Sequence, residues 1–239
     1  MRALLATGLR VFCLMVCLSQ MAQAQPCRLA LVLALDVSGS VDPVEYAQQI
    51  DGLAAALDDS EVRAAILSEG VAPVSLTVFE WSSRNHQIII QPWVALETSA
   101  ALDGVIARIR AHRKKRAGLK TALGTALSFA AAQFAHQAQC WAKTIDVSGD
   151  GKNNIGPTPA QMYQAAVFDG ITVNALVIGD PSGSQTADDQ SLLAYYETDV
   201  IHGPAAFAMI AQGYQDYAHA MRRKLLRELA LPVLGRFDF

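Results

Sequence analysis

The sequence predicts an α/β fold: a doubly wound, three-layer sandwich with a mostly parallel six-stranded sheet, one antiparallel edge strand and helices on both faces. Three observations predict it. Strand-like apolar runs alternate with helical patterns along the chain, as βαβ units do. The run 29–36 is apolar without interruption up to its final aspartate, as a strand covered on both faces requires. The strands 74–81 and 87–93 are joined only by Ser82-Ser83-Arg84-Asn85-His86, too short for a parallel crossover, so they form a hairpin.

The chain opens with Arg2 and Arg10, an apolar segment 11–18, and Ala22-Gln23-Ala24. Positive charge, a short apolar run and an A-x-A site read as a secretory signal over residues 1–24, with one domain expected over 25–239. No other stretch reaches the roughly 18 apolar residues that span a bilayer. The product is expected to be exported and soluble. Removing residues 1–24 takes away two arginines and no acid, so the formal charge of −3 becomes more negative by two. That balance argues against nucleic acid as the main partner.

Beyond the first strand, residues 43–57 place Val44, Ala47, Ile50, Leu53, Ala54 and Leu57 at helical spacing, opened by Asp42-Pro43. A second short helix is expected around 61–67 and another over 98–112, with Leu102, Val105, Ile106 and Ile109 inward. The basic run His112–Arg116 that ends it suits the negative end of the helix dipole and reads as a solvated surface, with an anion-binding site as the alternative. Further on, helices are expected over 121–135 and 159–168, and strands over 141–147 and 171–178. A polar loop follows over 179–189, then a short helix 192–196, a stub of strand at 200–201 and a long closing helix 204–229. The basic end of that helix, Arg222-Arg223-Lys224 with Arg227, needs no partner beyond the dipole.

The chemistry gathers where strands end. The first strand delivers Asp36, Ser38 and Ser40 at alternate positions around Gly39, which lets the turn be tight. Hard oxygen donors of this kind suit Mg²⁺, Mn²⁺ or Ca²⁺. Taken alone, the same residues also read as a helix cap. Two later segments carry more oxygen: Thr121, in T-A-L-G-T-A-L, and Asp150, in S-G-D-G-K-N-N. In open α/β sheets ligands bind at the carboxyl ends of the strands, where these loops lie.

The five residues Asp36, Ser38, Ser40, Thr121 and Asp150 resemble the metal-ion-dependent adhesion site, or MIDAS, of von Willebrand factor type A (vWA) domains. There, D-x-S-x-S follows the first strand, a threonine precedes an A-L helix, and an aspartate-glycine follows the fourth strand. Within that superfamily the chain is most similar to exported bacterial proteins designated DUF1194. The matching stretches are I-D-V-S-G-D-G-K-N-N, G-I-T-V-N-A-L and V-I-H-G-P-A-A-F. The resemblance implies a Rossmann-like fold and one divalent cation held directly by Ser38 and Ser40. Thr121 would bind according to state, and Asp36 and Asp150 mostly through water. It also implies a non-enzymatic binding module, in which the cation takes its last ligand from a carboxylate of a protein partner. A periplasmic address follows if the source is Gram-negative.

Several positions allow two readings. Thr121 serves equally as a helix N-cap, and Thr125, one turn on, is a rival for its role. Lys120 either holds an amine near the cation or points to solvent. Asp146, inside the fourth strand where an unpaired charge is costly, is either satisfied structurally by a neighbouring loop or the Asn153/Asn154 segment or serves as a ligand, and Glu80 has no assigned role. The five histidines lack zinc spacing and read as surface or packing residues. The last helix either closes the fold rigidly or slides when the metal gains a ligand.

Cys27 and Cys140 remain once Cys13 and Cys17 leave with the signal. They precede Asp36 and Asp150 by nearly equal distances, so on neighbouring parallel strands they stand at one height at the opposite end. An exported chain would bridge them; two separate buried thiols are the alternative. Among function classes, a metal-dependent phosphohydrolase is the rival to the binding module, because G-D-G-K-N-N resembles the G-D-G-x-N-D motif of haloacid-dehalogenase-like phosphatases. That chemistry needs a second acid where this chain has Ser38. A structural export factor with a vestigial metal site is the third class.

Overall fold

The computed structural model describes residues 26–114, 118–137, 139–180 and 187–230. Residues 1–24, read as a secretory signal, and the chain end 231–239 lie outside the described residues. Six strands form one sheet: β1 (Cys27–Asp36), β2 (Val74–Trp81), β3 (Gln87–Leu96), β4 (Cys140–Gly149), β5 (Ile171–Ile178) and β6 (Ala208–Ala211). Their spatial order is β3-β2-β1-β4-β5-β6, and only β3 runs antiparallel to its neighbour. The predicted fold class holds, including the hairpin at the edge.

Alternation along β1 sorts the core into two layers. Leu29, Leu31, Leu33 and Leu35 join one cluster with residues of α1 (Pro43–Asp58), α2 (Ser60–Ile66), α3 (Ser99–Ala111) and α7 (Tyr217–Leu229). Ala30, Val32 and Ala34 join the other, with α4 (Leu123–Gln133), α5 (Pro159–Met162) and α6 (Ala187–Tyr195). The small even residues admit α4, whose own buried face is Ala126, Leu127, Ala130 and Ala131. The Asp42-Pro43 start is a full capping box. Asp42 accepts from Val44 and Glu45 N–H, and Glu45 accepts from Asp42 N–H.

The chain after residue 158 departs from the periodic reading. The helix expected over 159–168 is a single turn, Pro159–Met162, followed by a 3₁₀ turn Ala166–Phe168. Tyr163 is drawn out of it, stacking on His202 with ring centres 4.2 Å apart and donating to the Val200 carbonyl. The stub expected at 200–201 is not a strand; Tyr196–Val200 form a π-type turn. The sixth strand instead lies at Ala208–Ala211, inside the expected closing helix, which begins only at Tyr217. Gly203 and Gly213 take left-handed backbone, as does Ala205, and no continuous helix passes such points. Asn174 fixes the new strand by accepting from Phe207 N–H at 3.1 Å.

Several charged residues for which the sequence names no partner have one in the fold. Lys224 is fully buried on α7, 2.7 Å from both Asp146 and Glu228, and is the neutralising partner of Asp146 in place of the Asn153/Asn154 segment. Arg222 pairs with Asp59 and Glu61. Glu80, also fully buried, accepts from Tyr46 and meets His86 at 3.2 Å and His112 at 3.1 Å. From the basic run, Lys114 donates to the Val41 carbonyl at 2.8 Å, so this segment is partly tied down; residues 115–116 lie outside the described residues. No helix among the described residues is long and apolar enough to cross a membrane.

Candidate metal-binding site

The parallel register sets the height of the site before any side chain is considered. Leu35 is level with Ser148, so Asp36 closes β1 beside the end of β4, and Asp150 follows one residue beyond β4. Between these two strand ends the connections leave for opposite faces of the sheet, which opens a crevice. The β1–α1 loop brings Ser38 and Ser40 into it, and the segment before α4 brings Thr121 from the other layer. All five oxygen side chains expected from the sequence meet there.

Their contacts form one chain of oxygens. Asp36 Oδ1 accepts from Ser38 N–H at 2.8 Å. Ser38 Oγ lies 3.4 Å from Ser40 Oγ and accepts from Thr121 Oγ1 at 3.3 Å. Ser40 Oγ donates to Asp150 Oδ1 at 2.8 Å. Asp36, Ser38 and Thr121 are buried, while Ser40 is exposed and Asp150 half-buried, so the cup opens on one side. Lys120 projects to solvent beside it. Thr125 instead lies beside Gly156, so Thr121 is the threonine that meets Ser38. Thr121 is not the helix cap either: Ala122 holds that position without a side-chain bond.

Glycines make the convergence possible through close approach. A Cβ on Gly39 would stand 2.9 Å from the Leu119 carbonyl oxygen, so the first loop can press against the second only without one. Its backbone is not left-handed, so packing, more than turn geometry, calls for glycine here. A Cβ on Gly149 would meet the Tyr196 hydroxyl at 2.5 Å and Asp36 Oδ2 at 3.2 Å.

Residues outside the expected set hold the loops. Asn154 Oδ1 accepts from Thr121 N–H at 2.9 Å, and its Nδ2 donates to Thr121 Oγ1 at 3.4 Å. Asn153 Oδ1 accepts from Gly124 N–H at 3.2 Å at the start of α4. This asparagine pair, visible in G-D-G-K-N-N, fastens the third loop to the second. Buried Gln49 donates to the Asp36 carbonyl at 3.1 Å, and Tyr196 donates to the Gly151 carbonyl at 3.1 Å. Neither Gln49 nor Tyr196 has a distinguishing signal in the sequence.

The donor set fits a hard divalent cation. Ligand oxygens around a six-coordinate ion of this class stand about 3 Å apart or slightly more. The hydroxyl separations of 3.3 and 3.4 Å are of that order. Asp36 Oδ2 is buried with no hydrogen-bond partner among the described residues, a cost that a cation or its water would relieve. Burial, then the nearby Asp150 carboxylate, push the Asp36 carboxyl up to about 8, against the pull of Ser38 and Lys114. No three His, Cys, Asp or Glu side chains among the described residues could hold a metal together, so a cation between these strand ends would draw on the hydroxyls of Ser38, Ser40 and Thr121 as well as the two carboxylates. At the far end of the same strands, Cys27 and Cys140 are paired in register and joined by a disulfide, with Cα atoms 4.5 Å apart.

Solved structures share this architecture. A vWA protein from Catenulispora acidiphila matches with a TM-score of 0.56 at 16% identity, over 85% of this chain and 43% of its own. Proximal thread matrix protein 1 from the mussel byssus, with a zinc-occupied MIDAS motif, matches with a TM-score of 0.58 at 18% identity, over 87% of this chain and 49% of its own. The pilus adhesin SpaC from Lactobacillus rhamnosus GG gives 0.61 at 13% identity, over 87% and 31%. The chain thus spans half or less of the length of these matched proteins. No curated protein matches it. The fold is that of a vWA domain. The family model for proteins of unknown function designated DUF1194 matches residues 26–233, and the chain belongs to that family.

Proposed function

We propose that this protein is an exported binding module in which Asp36, Ser38, Ser40, Thr121 and Asp150 hold one divalent cation that captures a carboxylate of a protein partner. Mg²⁺ is the expected ion, with Mn²⁺ and Ca²⁺ as substitutes. The observation that carries the reading is the open side of the cup. Ser38 and Thr121 are buried in its wall, Ser40 is exposed at its mouth, and only two carboxylates stand in the set. An ion held mainly by neutral hydroxyls keeps much of its charge and favours an anionic ligand from outside. The zinc-occupied site of the mussel protein and the adhesin role of SpaC support a cation and a protein partner here by analogy of fold. The disulfide is consistent with export.

The reading is non-enzymatic. A phosphohydrolase using Asp36 as nucleophile would need an acid two residues on, and Ser38 occupies that position with its hydroxyl turned to Thr121. Calorimetric titration with Mg²⁺, Mn²⁺ and Ca²⁺, with and without acetate, tests the proposal. Saturable binding that strengthens with acetate and disappears in a folded Asp36→Ala, Ser38→Ala variant supports it. Turnover of a generic phosphate ester, or no binding with acetate present, would overturn it.

A further inference from the structure

The third loop of the cup is held on its α6 side by two consecutive tyrosines. Tyr195 ends α6 and Tyr196 opens the π-type turn Tyr196–Val200, an irregularity that often marks a functional site in helices. Their rings stand perpendicular, with centres 5.6 Å apart, and both hydroxyls reach the backbone just after Asp150. Tyr196 donates to the Gly151 carbonyl at 3.1 Å, and Tyr195 accepts from Asn153 N–H at 3.3 Å. Lys152, between those two residues, donates to Ser191 Oγ at 2.9 Å, with its ammonium 5.7 Å from the centre of the Tyr195 ring. We infer that Tyr196, together with Tyr195, is a positioning residue of the cation site: the two phenols pin residues 151–153 and so hold Asp150 over the cup. This role rests on the metal reading proposed above.

Three observations give Tyr196 that role. First, it is fully buried and stands against the ligands. A Cβ on Gly149 would meet both its hydroxyl and Asp36 Oδ2, so phenol and carboxylate face one point. Second, its proton goes to the Gly151 carbonyl. Asp36 Oδ2, so close by, has no hydrogen-bond partner among the described residues, which leaves that oxygen for a cation or its water. Burial, then Asp36 and Asp150, push the phenol well above its ordinary range, so the hydroxyl keeps the proton it donates. Third, Gly151 has nothing else to hold it on its side-chain side. A Cβ there would have only Thr121 Oγ1 within reach, at 3.8 Å, so a bond to its carbonyl is what restrains a residue with the widest backbone freedom. Asn153 and Asn154 fasten the same loop to the α4 side, and the tyrosines fasten it to the α6 side.

Calorimetric titration of the wild type, Tyr196→Phe and Tyr163→Phe with Mg²⁺ and Ca²⁺, acetate present, tests the role. Tyr163 is the control, because its hydroxyl also donates to a carbonyl, that of Val200 at the far end of the same turn. Each variant loses one such bond and should melt about 2–4 °C below the wild type. Only Tyr196→Phe should bind Mg²⁺ about tenfold more weakly. Its Ca²⁺ affinity should fall less, because Ca²⁺ tolerates irregular geometry that Mg²⁺ does not; a loss of stability alone would not separate the two ions. Should Tyr196→Phe fail to fold, Tyr195→Phe takes its place with an expected loss of about threefold, since that ring is only half-buried. Mg²⁺ binding unchanged in the folded variant, or an equal loss in Tyr163→Phe, would overturn the role of the phenols and leave the metal reading standing. No saturable binding by the wild type would overturn the metal reading, and this role with it.

Discussion

Lys224 Nζ lies 2.7 Å from Asp146 Oδ1, with both side chains buried, so α7 is fastened to the middle of β4 by an ion pair inside the protein. Glu228, one turn along α7, approaches the same ammonium at 2.7 Å and accepts from Asn174 of β5 at 2.8 Å. One cation thus serves two buried carboxyl groups. Lys224→Met keeps the length of the side chain and removes its charge. It should cost about 3–5 kcal/mol in denaturant unfolding, because it strands both acids. A loss below about 1 kcal/mol would mean that the pair is not confined as described.

The same cluster sets a pH dependence. Burial and then Glu228 push Asp146 up to about 7 from its ordinary 3.8, and the Lys224 ammonium only partly offsets them. Around it stand Lys224 and Glu228 of α7, with Tyr217 of the same helix close by. The folded protein therefore holds a proton that the unfolded chain gives up. This contribution is fully present below about pH 4 and is lost as pH rises through about 7. Unfolding curves of the wild type and Asp146→Asn should diverge over that window, with the wild type losing stability relative to the variant. A difference independent of pH between 4.5 and 7.5 would contradict the assignment.

Much of this was legible in the sequence where local pattern and tertiary structure agree. The apolar run ending at Asp36 and the short link 82–86 define the sheet and its edge before any coordinates. The five oxygen residues are legible because D-x-S-x-S and D-G fall at the ends of the first and fourth strands and a threonine precedes a helix, the pattern that resembles a MIDAS. What failed was long-range. Lys224 looks like any basic residue near a helix end, and only the packing of α7 on the sheet buries it against Asp146. Residues 204–216 carry a helix-like apolar spacing, yet the open edge of β5 recruits Ala208–Ala211 as a strand. Glu80 gains its partners from three other segments, none predictable from its neighbours.

Metal binding should invert the effect of removing Asp36. Without a cation, Asp36 is a buried carboxyl facing Asp150, so Asp36→Asn should leave the metal-free protein as stable as the wild type or more so. With Mg²⁺ at a hundred times its dissociation constant, the wild type should gain about 2.7 kcal/mol, roughly 5–10 °C in melting temperature. The variant should gain almost nothing. Equal metal-induced shifts in both proteins would remove Asp36 from the site.

Asn154 offers a test of the loop clasp without touching a ligand. It holds Thr121 through two hydrogen bonds, at 2.9 and 3.4 Å. Asn154→Ala should lower metal affinity about tenfold or more, the usual effect of losing a residue that orients a ligand. The fold should lose only about 1–2 kcal/mol. Calorimetry and thermal melting together separate the two effects; an unchanged affinity would show that Thr121 holds its position without the clasp.

The Cys27–Cys140 bridge should affect stability and leave the site alone. It closes a loop of 113 residues, for which chain entropy gives about 4–5 kcal/mol. Both cysteines begin strands whose opposite ends carry Asp36 and Asp150, so the bridge and the cup are separated by the length of β1 and β4. A Cys27→Ser, Cys140→Ser variant should unfold at markedly lower denaturant yet bind Mg²⁺ within about twofold of the wild type. If affinity falls in step with stability, the two strand ends are mechanically coupled, and the bridge must then be counted among the groups that hold the three loops together.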